Sequence, residues 1–321
     1  MSDLDAGFAR VLDGETTPEE TKAFLLNSIE RMGDPAAIAA GARAMRARML
    51  TLSAPDGAID VCGTGGDGSH TLNISTAVAF VVAGAGVPVA KHGNRAMSSK
   101  CGAADVLEAL GVKLTGDIPS LERALREAGV AFLFAQNHHP AMRHVAAARR
   151  EIGRRTIFNL LGPLSNPAGV KRQLVGVFAP DFLMPVARAL NDLGAQRAIV
   201  LHGAGGFDEL TGDRGDQWVD LDAGAIGPAR LDVHGADDSG VSRAALRGGS
   251  AADNARALRA LLDGSSDNGV YRHVVELNAA MALNVAGLPA EQAMTLPRES
   301  LEGGAALDAL DKLIAITRDA P

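Results

Sequence analysis

The chain has 321 residues, 47% of them hydrophobic and 21% charged, with a formal net charge of −7. This is a globular balance, with enough length to bury a full core in one large domain or two. The acidic total excludes a surface that is one broad nucleic-acid or membrane patch, so any anion site has to be local.

Residues 1 to about 50 carry helical patterns only. Thr17-Pro18-Glu19-Glu20 supplies a capping threonine, a proline at the first helical position and acids in the first turn. Phe24, Leu25 and Ile29 follow at helical spacing. Asp34-Pro35 opens another helix with Ile38, Ala39, Met45 and Leu50 on its apolar side, and Ser53 to Gly57 is a turn-rich link. The N-terminus is acidic and has no apolar stretch of the signal-peptide kind. The longest apolar run, Ala77 to Ala90, is broken by glycines and Pro88 and is too short to span a bilayer. Cys62 and Cys101 make neither a disulfide framework nor a zinc spacing. A soluble, cytoplasmic protein with small buried thiols is the expectation.

From Ala58 strands alternate with helices. Strands are expected at Ala58–Cys62, Val87–Lys91, Val130–Phe134, Leu174–Phe178, Ala198–Leu201 and Gln217–Leu221. Helices are expected at Thr76–Gly84, Ala103–Leu110, Leu121–Ala128, Pro140–Ile152 and Phe182–Leu193. The C-terminal part returns to helices at Ala251–Leu262, Val270–Ala286 and Gly304–Thr317. The fold class is therefore α/β: a small helical N-terminal part beside a larger α/β domain with a mostly parallel central sheet. Gly63, His92, Phe134 and His202 stand at or just past strand ends, where ligands of such sheets bind, and should converge on one crevice.

Between Asp67 and Asp105 there is no carboxylate. This run opens on Gly63-Thr64-Gly65-Gly66-Asp67-Gly68, passes through Asn73-Ile74-Ser75-Thr76 and closes on Lys91-His92-Gly93-Asn94-Arg95 and Ser98-Ser99-Lys100. Gly63, Gly65 and Gly68 match the spacing of the dinucleotide fingerprint, but the acid needed some twenty residues on for a ribose hydroxyl is missing. No Gly-Lys-Ser/Thr of a P-loop follows either. What remains is a phosphate cradle: glycines that let N–H groups approach, a helix start at Ser75 and Thr76, and the charge of Lys91, with Arg95 as a second. Ser75 alone reads equally as an ordinary helix cap.

Five motifs in order carry a resemblance. Asp60–Thr76 (DVCGTGGDGSHTLNIST), Lys91–Gly111 (KHGNRAMSSKCGAADVLEALG), Phe132–Met142 (FLFAQNHHPAM), the segment from Arg149 to Pro167 and His202–Leu210 (HGAGGFDEL) resemble the successive motifs of the anthranilate phosphoribosyltransferase family. The dense part covers residues 60 to 210, and the helix containing Asn278 fits more loosely.

The resemblance implies a nucleoside phosphorylase/phosphoribosyltransferase class III-like fold. Residues 1–55, with the helices near 140–165, would form a helical dimerisation domain, and 56–321 an α/β domain binding phosphoribosyl diphosphate. It implies transfer of the phosphoribosyl group to the amine of anthranilate with Mg²⁺, releasing pyrophosphate, in tryptophan biosynthesis. Gly63, Gly66, Asp67, Thr71, Asn73, Ile74, Ser75 and Thr76 would hold the diphosphate and ribose. Lys91, His92, Gly93, Asn94, Arg95, Ala96, Met97, Ser98, Ser99 and Ala103 would close over the same ligand. Ser75, Asp208 and Glu209 would serve the metal, although by themselves the two acids read as a solvated surface pair. Anthranilate would meet Gly63, His92, Asn94, His139, Arg149, Gly162 and Pro163, with the Arg149 guanidinium matched to its carboxylate. Lys91, Asn94 and Arg149 are the implied catalytic group, with no general base, because the arylamine is already neutral near pH 7. Without the resemblance, Arg149 would be taken for a surface arginine. His138, His139 and His144 lack metal-ligand spacing.

Ala96 and Ala103 stand where many relatives carry serine, and Cys101 where serine or threonine is frequent. Two other readings are weighed. A pyrimidine nucleoside phosphorylase would have its own Lys-His-Ser loop and lysine-serine motif, which are absent here. A nucleic-acid-binding paralogue would be basic, which the net charge of −7 opposes. The expected partners are the two substrates and a second copy of the chain, with no nucleic acid and no membrane.

Overall fold

A computed structural model describes residues 3–65, 70–96, 101–228 and 243–321. The N-terminal segment forms α1 (Asp3–Asp13), α2 (Pro18–Asn27) and α3 (Pro35–Arg46). The Thr17 hydroxyl accepts the Glu20 N–H at 3.2 Å while the Glu20 carboxylate accepts the Thr17 N–H at 2.9 Å, so two orphan donors at the start of α2 are satisfied reciprocally. Asp34 caps α3 through the Ala36 N–H at 2.9 Å.

The α/β part continues as β1 (Ile59–Gly63), α4 (Ile74–Gly84), β2 (Val89–Gly93), α5 (Ala103–Ala109), α6 (Ile118–Glu127) and β3 (Val130–Phe134). Next come α7 (Ala135–His138), α8 (Arg143–Ile152), α9 (Phe158–Leu161), β4 (Arg172–Gly176), α10 (Leu183–Asp192), β5 (Arg197–His202), β6 (Gln217–Asp222) and β7 (Ala225–Pro228). The chain ends in α11 (Ala251–Leu262), α12 (Gly269–Ala286), α13 (Ala290–Glu302) and α14 (Ala305–Arg318).

Among the described residues the seven strands form one sheet in the order β3-β2-β1-β4-β5-β6-β7. The first five in that order are parallel, and β6 and β7 add antiparallel at one edge. The chain runs outward from β1 through β2 to β3, then returns to β1's other side with β4 and β5. That reversal makes β1/β4 the switch point, where a crevice opens beyond the carboxyl ends. Gly63 is in register with Gly176, so the two central strands end level.

Successive residues of β1, β4 and β5 feed opposite cores. Val61, Leu174, Ile199 and Leu201 pack with α4, α5, α6 and α11–α14. Cys62, Val175, Ala198 and Val200 pack with α1–α3 and α8–α10 on the other face. Helix α4 is buried all round, as its unbroken apolar sequence requires, between the sheet and the C-terminal helices.

Three differences from the sequence expectations have local causes. The expected helix Pro140–Ile152 begins with a separate 3₁₀ turn, Pro140–Met142, before α8. Helix α13 is additional to the expected helices and carries Pro297 inside it, a residue that removes a backbone donor. Strand β7 is only four residues long, and its sequence Ala-Ile-Gly-Pro shows no apolar/polar alternation. No helix among the described residues is long and apolar enough to cross a membrane.

Gly84 closes α4 against the α13–α14 junction, where an added Cβ would lie 2.6 Å from the Ala306 nitrogen and 2.7 Å from the Ala305 carbonyl carbon. Backbone cannot retreat as a side chain can, so Gly84→Ala is expected to cost about 1–3 kcal/mol by overpacking. A chemical denaturation curve reads this directly; an unchanged midpoint would show that the two helices separate without cost.

Candidate active site

The phosphate side of the crevice is built by β1, α4 and β2. Thr64 anchors the glycine loop to β4: its N–H donates to Gly176 O at 2.9 Å, and its hydroxyl accepts the Phe178 N–H at 3.1 Å. Gly65 has φ +61°, a left-handed conformation that suits glycine, and turns its N–H onto Asp208 Oδ2 at 3.0 Å. Helix α4 starts after Asn73; the Ile74 N–H turns back onto Leu72 O at 2.8 Å, and Ser75 and Thr76 bring the next N–H groups of its first turn to the crevice. Thr76 Oγ1 is buried there with no partner among the described residues.

Lys91 is 3% exposed and donates to Val61 O at 2.7 Å and Ser75 Oγ at 3.2 Å. Burial lowers its pKa, while nearby acids, Asp60 foremost and then Glu209 and Asp208, favour its charge. Its ammonium thus sits beneath the start of α4 rather than standing free in the cradle. Asp60 is fully buried; it accepts the His92 N–H at 3.1 Å and the Asn166 amide at 2.8 Å. Burial pushes its carboxyl up to about 6, against the opposing pull of Lys91 and these hydrogen bonds.

Asp105, the first acid after the long acid-free run, closes the basic loop. Its Oδ2 accepts the N–H groups of Ala96 at 3.1 Å and Gly102 at 2.8 Å, and its Oδ1 accepts Arg95 at 2.9 Å. Arg95 also pairs with Glu108 and lies 5.5 Å above the Phe134 ring. It is therefore engaged with α5. Asn94 is exposed at the crevice, and Ala103 begins α5. Thr71 bridges Arg247, and Asn73 Oδ1 accepts the Asn254 amide at 2.9 Å, which ties the α4 start to α11. Gly66, Asp67, Met97, Ser98 and Ser99 lie outside the described residues.

Asp208 and Glu209 come from the loop after β5 and lie across the strand ends. A side chain at Gly63, Gly176 or Gly203 would collide with Asp208 Oδ2, Asp208 O or Glu209 O respectively. Both acids share a small cavity with Ser75 and Asn278. Two carboxylates and a hydroxyl are the hard oxygen donors Mg²⁺ takes, and they leave coordination positions for water and phosphate. Among the described residues no group of three or more His, Cys, Asp or Glu gathers to cage a metal. The residues fit the ion.

Beside this lies a cleft of about 220 Å³ between the sheet and the helical layer. Gly63, His92, Asn94, His139, Arg149, Gly162 and Pro163 all line it, together with Met45, Met142, Phe158 and Asn159. Arg149, half-buried on α8, lies 5.9 Å from the Phe158 ring centre. His92 Nδ1 faces Gly162 O at 3.0 Å; the carbonyl can only accept, so Nδ1 carries the proton. His92 Nε2 then carries the lone pair and faces His139 Nε2 at 3.1 Å. Both rings are neutral in this chain of bonds. Burial holds His92 down at about 3 and His139 at about 4.

The sequence reading passed over the structural roles of Asp60, Asn166, Asn254, Asn278 and Asp216. Each is a buried polar residue, and Asp60 and Asn278 each interrupt an otherwise apolar stretch, which is the one available signal.

Residues 55–307 match the family described as glycosyl transferase family, a/b domain. This defines the class: a glycosyl transferase with its site at the sheet's switch point. Anthranilate phosphoribosyltransferase of Xanthobacter autotrophicus is 49% identical, over 97% of this chain and 90% of that protein. The Brucella suis enzyme of that name is 46% identical over 100% and 94%. The crystal structure of anthranilate phosphoribosyltransferase (TrpD) from Thermus thermophilus is 39% identical with a TM-score of 0.85, covering 98% of this chain and 94% of that one. The chain belongs to the anthranilate phosphoribosyltransferase family.

The histidine pair sets a pH dependence. Between the ordinary histidine pKa near 6.5 and the folded values of about 4 and 3, the unfolded chain binds more protons, so stability falls as pH falls through that window. His139→Gln removes one of the two groups. Its urea midpoint should decline less steeply than wild type between pH 7 and 5; parallel curves would mean the pair does not resist protonation.

Proposed function

We propose that the chain transfers the phosphoribosyl group of 5-phosphoribosyl 1-diphosphate to the amine of anthranilate, giving N-(5-phosphoribosyl)anthranilate and pyrophosphate, in L-tryptophan biosynthesis. The observation that carries it is the contiguity of two unlike half-sites. A helix N-terminus and an acid pair tied to the glycine loop lie beside a cleft holding one arginine. The first half suits a diphosphate, the second a flat aromatic acid.

In this reading the glycine loop and the first turn of α4 take the diphosphate. Lys91 fixes the Ser75 hydroxyl and balances the charge of Asp208 and Glu209. Ser75, Asp208 and Glu209 would hold Mg²⁺, which when bound would supply positive charge to offset that of the diphosphate leaving group. Arg149 takes the anthranilate carboxylate bidentately, and Asn94 with Gly162 and Pro163 orients the ring. The amine lone pair then forms the N–C1 bond as the C1–O bond to diphosphate breaks, and the amine's surplus proton leaves to water. His92 and His139, neutral and bonded to each other, act as wall rather than base. The cell compartment proposed is the cytoplasm, where Cys62 and Cys101 stay as buried free thiols.

Anthranilate fluorescence should fall on incubation with the protein only when phosphoribosyl diphosphate and Mg²⁺ are both present; no loss at any protein level would sink the reading. Arg149→Ala should mainly raise KM for anthranilate, on the order of tenfold or more for a lost charge-assisted pair. Asp208→Asn with Glu209→Gln should cripple turnover at ordinary Mg²⁺ and leave anthranilate KM little changed.

We also propose that the helical part, 1–55 with the helices near 140–165, pairs two copies of the chain. Leu26, which is 40% exposed, with Leu4 and Phe24 half-buried on the same helical layer, supports this. Light scattering should give twice the chain mass, and a monomer at micromolar concentration would exclude the pairing.

A further inference from the structure

The geometry points to Asp216 as the positioning residue that holds Asp208–Glu209 in place for a divalent cation, an inference that rests on the reading of those acids as the cation-binding pair. Asp216 ends the loop that begins after β5 at Gly203, and it is 5% exposed. Its carboxylate takes four donors. Oδ1 accepts the Ala204 N–H at 2.7 Å and the Thr211 hydroxyl at 2.9 Å. Oδ2 accepts the Thr211 N–H and the Gly212 N–H, each at 2.8 Å. Ala204 precedes the acid pair and Thr211–Gly212 follow it, so one side chain ties together both limbs of the loop that carries Asp208 and Glu209.

A second clamp acts between these limbs. Asn278 from α12 accepts the Leu210 N–H at 3.0 Å and donates to Leu210 O at 2.8 Å, fixing both backbone groups of the residue after Glu209. Its amide also donates to Val274 O at 2.8 Å, so the clamp is anchored within its own helix. On the Gly203 side the turn is closed by Gly203 N–H to Phe207 O at 2.8 Å and Gly206 N–H to Gly203 O at 3.1 Å. Asp208 itself receives Gly65 N–H at 3.0 Å.

Asp216 does not serve as a ligand, because all four of its hydrogen bonds come from donors of its own loop, two on each oxygen. Its negative charge is what lets one group accept four bonds. An asparagine in its place offers one carbonyl oxygen and turns an NH₂ group towards two donors. The loop then loses its closure on one limb, while the cleft around Arg149, built by other elements, is untouched.

The test uses the full chain with phosphoribosyl diphosphate and Mn²⁺ as the calorimetric probe, beside the Mg²⁺ dependence of turnover and KM for anthranilate. Asp216→Asn is expected to weaken Mn²⁺ binding roughly ten- to a hundredfold, the usual range for lost outer partners of a metal site. The Mg²⁺ concentration for half-maximal rate should rise in parallel, with KM for anthranilate unchanged. Thr211→Val deletes one of the four hydrogen bonds while keeping the side-chain shape; it should shift Mn²⁺ binding the same way by less, and it decides the question if Asp216→Asn does not fold. Wild-type Mn²⁺ affinity in both variants overturns the inference, as does an equal rise in anthranilate KM, which would mark a general loss of structure. A wild-type chain that binds no Mn²⁺ refutes the acid-pair reading and this inference with it, whereas binding that is identical in wild type and variants refutes the clamp alone.

Discussion

Two adjacent carboxylates lie across the carboxyl ends of β1 and β4 and the residue that follows β5, and each of the three positions beneath them is a glycine. A Cβ at Gly63, Gly176 or Gly203 would occupy the space of Asp208 or of the Glu209 carbonyl. The whole site depends on this close approach. With side chains at those ends, the acid loop would be lifted away from the sheet, Asp208 would lose the Gly65 N–H, and the small cavity shared with Ser75 would not exist. Glycine costs conformational entropy on folding, and at these three strand ends the close approach of backbone and acid requires it.

Charge is then arranged around that contact. The stretch from Gly68 to Ala104 carries no acid, so no carboxylate of its own competes for the N–H groups of the cradle. Lys91 lies within the low-dielectric interior beneath Ser75 and offsets Asp60 and the acid pair from behind. Arg95, by contrast, is bound to Asp105 and Glu108 at the far end of the same loop. The two basic residues are therefore placed differently: one balances charge within the strand ends, the other is held to the start of α5.

The second half of the site arises from having two cores. One face of the sheet packs on α4 and the C-terminal helices, the other on the helical layer. The cleft containing Arg149 forms where that helical layer meets the strand ends. Only 3% of the chain is aromatic, yet Phe158 lines this cleft and Phe178 lies 4.2 Å under Arg155 at the edge of the same layer. Neutral His92 and His139, joined to Gly162, make its rigid floor.

The alternation of strands and helices, the late start of α4 after Asn73 and the rejection of a dinucleotide site were all legible in the residues alone. Each follows from local chemistry: apolar period, capping residues and the absence of an acid at one spacing. The sequence also named Asp208, Glu209 and Arg149, but through resemblance, since an acid pair or an arginine in a loop or helix has no local mark of function. What only the tertiary structure decided is how distant segments meet. The antiparallel edge strand β7 and the proline-containing α13 are held by neighbours rather than by propensity. Asn278 reaches Leu210 from sixty-eight residues away, and Asn254 reaches Asn73 from across the chain. A buried polar side chain takes its meaning from the partner it is folded against, and that partner is not written in its neighbourhood.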